Sequence, residues 1–192
     1  MDELNRLSNL LTIWFQQWNE TGRKTTEEDI DSIIDSIADL LLLSYLNGHD
    51  DTQKELGTKT EAQDEKLTNK IFNRYPDGKD FTDRIREHLA SGKTAEEIQA
   101  AVIKVADTEM HRMYNAGGYD AAMESGIDGL MKRWVTMKDE RVRDTHISLE
   151  GVKIPMEELF YAIDGDSADF PGDFMNAENN VNCRCYLSYT AE

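Results

Sequence analysis

As far as residue 126 most apolar residues recur at spacings of three and four; beyond residue 131 β-prone runs separated by Gly and Pro set in. This change of period constrains the chain most, because it predicts helices first and a small strand-containing unit after them. Residues 2–20 place Leu4, Leu7, Leu11, Trp14, Phe15 and Trp18 on one helical stripe, which Thr21-Gly22 ends. Thr25 followed by Glu28 fits a capping box. The second helix carries Ile30, Ile33, Ile34, Ile37, Leu40 and Leu41, with Asn47-Gly48 as its expected stop. Two antiparallel helices joined by a short loop follow, since each has a stripe to bury. The Trp14 and Trp18 stripe either closes this hairpin or offers a docking face.

Residues 49–66 are polar without an apolar period and read as a linker or the exposed start of a third helix. Leu67, Ile71 and Phe72 make a short helical face, Pro76-Asp77-Gly78 a turn, and Phe81, Ile85 and Leu89 another short helix. Thr94 with Glu97 forms a second capping box. It opens a long helix through Ile98, Val102, Val105, Met110 and Tyr114, with a break expected near Gly117-Gly118. Past residue 131, the runs 133–137, 152–154 and 183–189 are β-prone, with Pro155, Gly165, Pro171 and Gly172 punctuating the loops. The expected class is α+β: an N-terminal helical hairpin or bundle with a long central helix, then a small C-terminal mixed β unit with a short helix. The expected division is 1–90 for the N-terminal helices and 91–192 for the remainder.

Charge narrows the function. In 192 residues, 21 Lys and Arg face 38 Asp and Glu, a formal net charge of −17. A direct nucleic-acid clamp is therefore not expected, since it needs a basic surface to displace counterions. Docking on anionic lipid is disfavoured for the same reason. The longest apolar run, Leu40 to Leu43, is far short of a membrane span, so no membrane anchor is expected. The opening Met-Asp-Glu lacks the basic region of a signal peptide. Two cysteines are too few for a secreted disulfide scaffold, which makes a reducing cytoplasm the expected place of synthesis.

The chemistry-bearing residues gather late in the chain. Asp139 is placed to cap a short helix ending near Gly151. In that helix Val142, His146 and Leu149 share a face, so His146 looks inward. Arg141 and Arg143 lie elsewhere around it. Cys183 and Cys185 are two residues apart and share one face of an extended strand, with Cα atoms ~6.6 Å apart. That is near the upper limit for an unstrained disulfide. Two thiolates with His146, and a carboxylate or water as fourth ligand, suit a structural zinc. Two buried free thiols, or a strained disulfide, fit the spacing as well. Asp164, Asp166, Asp169 and Asp173 sit in one loop without EF-hand spacing and read as a solvated acidic loop rather than a hard-cation site. Thr108 and Glu109, with Arg112 and Asn115 a turn later, read as helix-surface polar contacts or as a site.

Taken in order, these residues resemble the phage Mu F-like family of minor head, or head morphogenesis, proteins, over about residues 94–188. Thr108-Glu109 and Asn115 resemble the family's A-R-T-E…N helix, with Ala106-Asp107 where Ala-Arg is usual. Trp134 and Thr136 with Asp139, Arg141, Arg143 and His146 resemble its W-x-T…D-x-R-x-R-x-x-H core, and Leu149-Glu150-Gly151 the L-D/E-G that follows. Pro155 and Phe160 match its Pro…F segment. Pro171-Gly172-Asp173 and Asn182-Cys183-Arg184-Cys185 match its P-G-D…N-C-R-C ending. The resemblance implies a minor structural protein of a tailed-phage head that assists capsid assembly and DNA packaging or ejection. Its implied partners are the portal protein and possibly scaffold or capsid protein. Its implied place is the virion, in the capsid interior at the portal vertex, after host cytoplasm during assembly. Some relatives are fused to toxin or transferase domains, for which 192 residues leave no room, so no enzymatic activity is expected. The resemblance also implies that Trp134, His146, Cys183 and Cys185 converge if the last strand pairs near the first. Asp139 with Arg141 or Arg143 then forms a buried or half-buried ion pair.

The competing reading is a hydrolase or nuclease of phage origin that uses His146 with a cysteine, or a bound metal. A nucleophilic thiol needs a nearby base and an electropositive setting. Arg184 points away from the thiols on an extended strand, and the net charge disfavours a nucleic-acid substrate.

Overall fold

In the computed structural model, which describes residues 2–21, 26–62 and 64–191, helices precede a small antiparallel sheet. The helices are α1 (Asp2–Thr21), α2 (Glu27–Leu56), α3 (Asp64–Ile71), α4 (Phe81–Leu89) and α5 (Ala95–Met123). Then come β1 (Leu130–Val135), α6 (Asp144–Ile147), β2 (Lys153–Pro155), β3 (Phe160–Tyr161), β4 (Ser167–Ala168), α7 (Ala177–Asn180) and β5 (Tyr186–Ala191). The class is α+β. The sheet has the order β2-β1-β5, and β3 and β4 form a separate two-residue pair; all pairings are antiparallel. β1 is central and pairs along its whole length with β5, Trp134 lying opposite Leu187.

The second helix differs from its expectation at both ends. Its capping box is Thr26 with Asp29, one residue past the expected pair; Thr25 and Gly22 lie outside the described residues. Asn47-Gly48 does not end it. The helix continues to Leu56, where Gly57 provides a left-handed cap with φ 67°. Gly117-Gly118 likewise sits inside α5, which runs unbroken from the expected Thr94–Glu97 box to Met123. The reason is a close crossing of the two helices. A Cβ on Gly48 would fall 1.9 Å from the Tyr114 carbonyl oxygen, and one on Gly117 would fall 2.0 Å from that of Tyr45. Glycine here brings two backbones together rather than breaking a helix. Residues 49–56, expected as linker or the exposed start of a third helix, are the end of α2, which buries His49 and Thr52 beside that crossing. Tyr45 completes the contact by donating to Asp120 Oδ2 at 2.7 Å.

The expected α1–α2 hairpin is supplemented by packing of α1 on α5. Leu7, Leu11 and Phe15 are buried, and Gln99 reaches Thr12 Oγ1 at 2.8 Å. Trp14 is partly buried, edge-on to Phe15, so that side of the stripe serves the core; the side chains of Leu4 and Trp18 lie outside the described ones. One buried cluster extends from Leu7 on α1 to Tyr189 on β5.

Gly117→Ala should lower unfolding free energy by about 1–3 kcal/mol, the usual cost of forcing a methyl into a full contact. Urea denaturation measures it, and a change below a few tenths of a kcal/mol would mean that the helices separate freely.

Candidate functional site

The inner face of β1 organises the C-terminal unit. Trp134 is fully buried between His146, Phe160 and Phe174, with ring centroids 5.4, 5.1 and 5.6 Å away. His146, on the one-turn helix α6, stacks on Phe174 at 5.3 Å. Aromatic packing on two sides thus fixes the imidazole plane. Its Nδ1 faces two sulfurs, Cys185 Sγ at 3.4 Å and Cys183 Sγ at 3.6 Å. His146 is 1% exposed, Cys185 3% and Cys183 7%. Contact between the two thiols pulls Cys183 below its ordinary value and, together with burial, pushes Cys185 above it. The Trp134 indole N–H is buried without a hydrogen-bond partner. A void of about 10 Å³ borders all three residues, room for one water-sized body and none for an organic substrate.

The thiols owe their position to backbone shape rather than to a strand. Cys183, Arg184 and Cys185 precede β5 instead of opening it. Asn182 has φ 57°, a left-handed turn that Asn tolerates better than most residues. The Cys183 amide donates to the Asn180 carbonyl at 3.0 Å. Asn115 on α5 is buried and reaches the Cys185 carbonyl at 3.4 Å, while holding the His111 carbonyl at 3.0 Å. Arg143 donates to the carbonyls of Glu178 and of Val181, the latter at 2.6 Å. It thereby clamps the segment before the cysteines onto α6.

Of the ion pair expected between Asp139 and Arg141 or Arg143, a loose one forms with Arg141 and none with Arg143, and the main partner of Asp139 is Arg184. Asp139 accepts from both Arg184 nitrogens at 2.7 Å, Arg141 stands 3.7 Å away, and Arg143 is engaged with the carbonyls. The pair is on the surface, because Arg184 points away from the buried thiols. Nor does Asp139 cap α6, whose N-cap is Arg143 without a side-chain bond; instead it accepts from the Arg141 amide at 3.1 Å.

The α5 residues expected at a helix surface, or at a site, are largely buried. Arg112 Nε donates to Glu109 Oε2 at 2.8 Å, and both side chains are about 5% exposed or less. Tyr75 donates to the other Glu109 oxygen at 2.5 Å, and Arg112 also holds the Lys70 carbonyl at 2.8 Å. Gly172 lies against this arginine, since a Cβ there would come 2.9 Å from Arg112 Cα. The Pro171-Gly172-Asp173 turn thus seats on α5 at the Glu109–Arg112 pair. Thr108 has a buried hydroxyl without a partner and lines a cleft of about 360 Å³ with Tyr75, Arg84, His88, Lys104 and Glu109.

The acidic loop is not solvated throughout. Asp166 is buried and accepts from the amides of Ser167, Met175 and Asn176 and from the Asn179 side chain, which leaves its oxygens committed to folding the loop. One residue absent from the expected site is Lys132. It is fully buried, donates to the Asp169 carbonyl at 3.1 Å and carboxylate at 3.2 Å, and lies 4.8 Å from the Tyr119 ring centre. Burial pushes its ammonium below the ordinary value against the pull of Asp169. The signal was its position two residues before Trp134, on the same inward face.

Residues 78–188 match the family described as Phage Mu protein F like protein. The chain belongs to that family. Minor head protein GP7 of Bacillus phage SPP1 is 35% identical over 88 residues, 45% of this chain and 29% of that protein. NAD(+)--arginine ADP-ribosyltransferase EFV of Enterococcus faecalis is 34% identical over 126 residues, 62% of this chain and 24% of that protein. An uncharacterized protein of Methanocaldococcus jannaschii is 28% identical over 151 residues, 74% of this chain and 24% of that protein. The matches thus span between 24% and 29% of these relatives' own lengths. No solved structure matches. The expectation of a protein without enzymatic activity is overturned here, because a relative in this set bears an enzyme's name.

Two outcomes test the site's electrostatics. Arg112→Met should cost about 3–5 kcal/mol in urea denaturation, because it strands a buried carboxylate, and adding Glu109→Leu should recover part of that loss. Arg184 holds the Asp139 carboxyl down at about 2. Its folded value lies below the unfolded ~3.9, so the pair's stabilisation is present above about pH 4 and is lost as pH falls toward 2. The gap in melting temperature between wild type and Asp139→Asn should therefore be widest at neutral pH and close across that interval; a gap independent of pH would discard the pairing.

Proposed function

We propose that this chain is a minor component of a tailed-phage head, located in the capsid interior at the portal vertex. There it assists capsid assembly and DNA packaging or ejection. The observation that carries the reading is the family match over residues 78–188, joined by a relative that is a phage minor head protein. The physical properties agree with it. A charge of −17 keeps the chain from condensing on packaged DNA and suits a partner with a basic face, which the portal or a scaffold or capsid protein would supply. No helix among the described residues is long and apolar enough to cross a membrane. The paired buried charges and shape-determining glycines make the C-terminal unit a firm body on which a docking surface can be presented.

A second reading, NAD(+)-dependent ADP-ribosyl transfer to arginine, is favoured by the relative of that name. The cleft beside Thr108 and Glu109 has the volume for part of a dinucleotide.

Quantitative mass spectrometry of procapsids and mature virions tests the first reading. A few copies per particle, retained with the portal protein after mild dissociation, are expected. Absence from both particles would overturn it. Release of nicotinamide from NAD(+) by the purified chain, abolished by Glu109→Gln in a protein of unchanged fold, would establish the second.

A further inference from the structure

We propose that His146, Cys183 and Cys185 hold a structural zinc ion. The inference does not rest on the head-protein reading. It begins with a hydrogen-bonding anomaly. Two sulfurs stand at 3.4 and 3.6 Å from one nitrogen, His146 Nδ1. An imidazole nitrogen offers one hydrogen or one lone pair, and so satisfies one linear partner. The near-equal approach of a second sulfur needs another cause, and a shared ion between the three atoms supplies it.

The distances fit such an ion. Zinc sits about 2.3 Å from sulfur and 2.0–2.1 Å from an imidazole nitrogen in a tetrahedron, which sets nitrogen and sulfur ligands about 3.5 Å apart. All three candidate atoms lie within 4.8 Å of one another. The small void they border admits one compact body. Charge fits too: two thiolates buried here would carry two negative charges, and a dication neutralises them. Two soft sulfurs and one imidazole select zinc over a hard cation such as magnesium or calcium. Among the described residues this is also the one group of three or more histidine, cysteine or acidic side chains with a metal-ligating arrangement.

The surroundings point to a structural role. The imidazole is oriented in advance by Phe174 and Trp134. The two thiols are turned to one side by the left-handed Asn182 and the Asn115 bond to the Cys185 carbonyl. The ion would tie the segment before β5 to α6, His146 and Cys183 being 37 positions apart in the chain. A water would complete the tetrahedron, since among the described residues the group holds three histidine, cysteine or acidic side chains and no fourth.

The test uses the full chain, purified under reducing conditions without chelator. Elemental analysis and native mass spectrometry should find one zinc per chain. Exchange for cobalt(II) should give a thiolate-to-cobalt charge-transfer band and the intense visible absorption of a tetrahedral site. Cys183→Ser and Cys185→Ser should each weaken that band. His146→Cys, which replaces one ligand by another, should keep the metal and strengthen the band, a result that a purely structural histidine would not produce. Removal of the metal should lower the melting temperature by about 10 °C or more, restored on adding zinc. A metal-free chain whose melting is unmoved by zinc, with two titratable thiols and no cobalt band, overturns the proposal. So does an intact mass two hydrogens below the reduced chain, which identifies a disulfide.

Discussion

The close crossing of α2 and α5 is the constraint on which the rest depends. Gly48 and Gly117 let each backbone approach the carbonyl of the other helix, and no side chain fits between. Because the helices touch at this depth, α5 is held along its middle with little freedom to slide. Its remaining faces then become fixed platforms. One receives α1 through Thr12 and Gln99, and another receives the C-terminal unit through Arg112, Asn115 and Tyr119. A shift of α5 along α2 would carry both attachments with it.

A chain this acidic also has to place its positive charges with care. Two of them, Lys132 and Arg112, are spent inside. Desolvating either alone would cost several kcal/mol, and each is met by a carboxylate and by a backbone carbonyl. Lys132 has the faces of Tyr119 and Phe160 as well, 4.8 and 5.4 Å from the ring centres. Such pairs add little net stability over apolar replacements, but they penalise any alternative packing that separates them. This explains why the loop of residues 169–173 has one seat on the helices. Asp169 must meet Lys132 and Tyr119 while Gly172 lies against Arg112.

Much of this was legible in the sequence where a residue acts through its own period or its own chemistry. The Thr94–Glu97 box and the buried face of Phe81, Ile85 and Leu89 follow from spacing, and the β-prone runs at 133–137, 152–154 and 183–189 overlap β1, β2 and β5; His146 is buried as expected, although the helix that carries it is one turn long. Glycine misled, because its two uses look alike in one dimension: Asn47-Gly48 and Gly117-Gly118 carry the composition of helix stops, and only the partner helix shows that they are contacts. The end of α2 escaped notice for a related reason, since the buried residues there are Gly48, His49 and Thr52 rather than aliphatic ones. Arg184 was assigned correctly to the outer side of the cysteine segment, yet its bond to Asp139 depends on a loop path that no local pattern encodes. The two-residue strands β3 and β4 are too short to leave a period at all.

The motif residues of the C-terminal unit divide by what they act on. Asn182, Gly172, Asn115 and Arg143 work on backbone: they set a left-handed turn, permit a close approach, or hold carbonyls. Trp134, His146, Cys183 and Cys185 are what those backbones deliver to one buried point. The first group would have no reason to be so exacting if the second were only apolar filling, for which many shapes and residues serve equally well. A core of ordinary hydrophobes tolerates a sulfur displaced by an ångström. Two sulfurs held at matching distances from one nitrogen, with Asn182, Asn115 and Arg143 each acting on the backbone around them, indicate that position rather than burial is what the unit is built to supply.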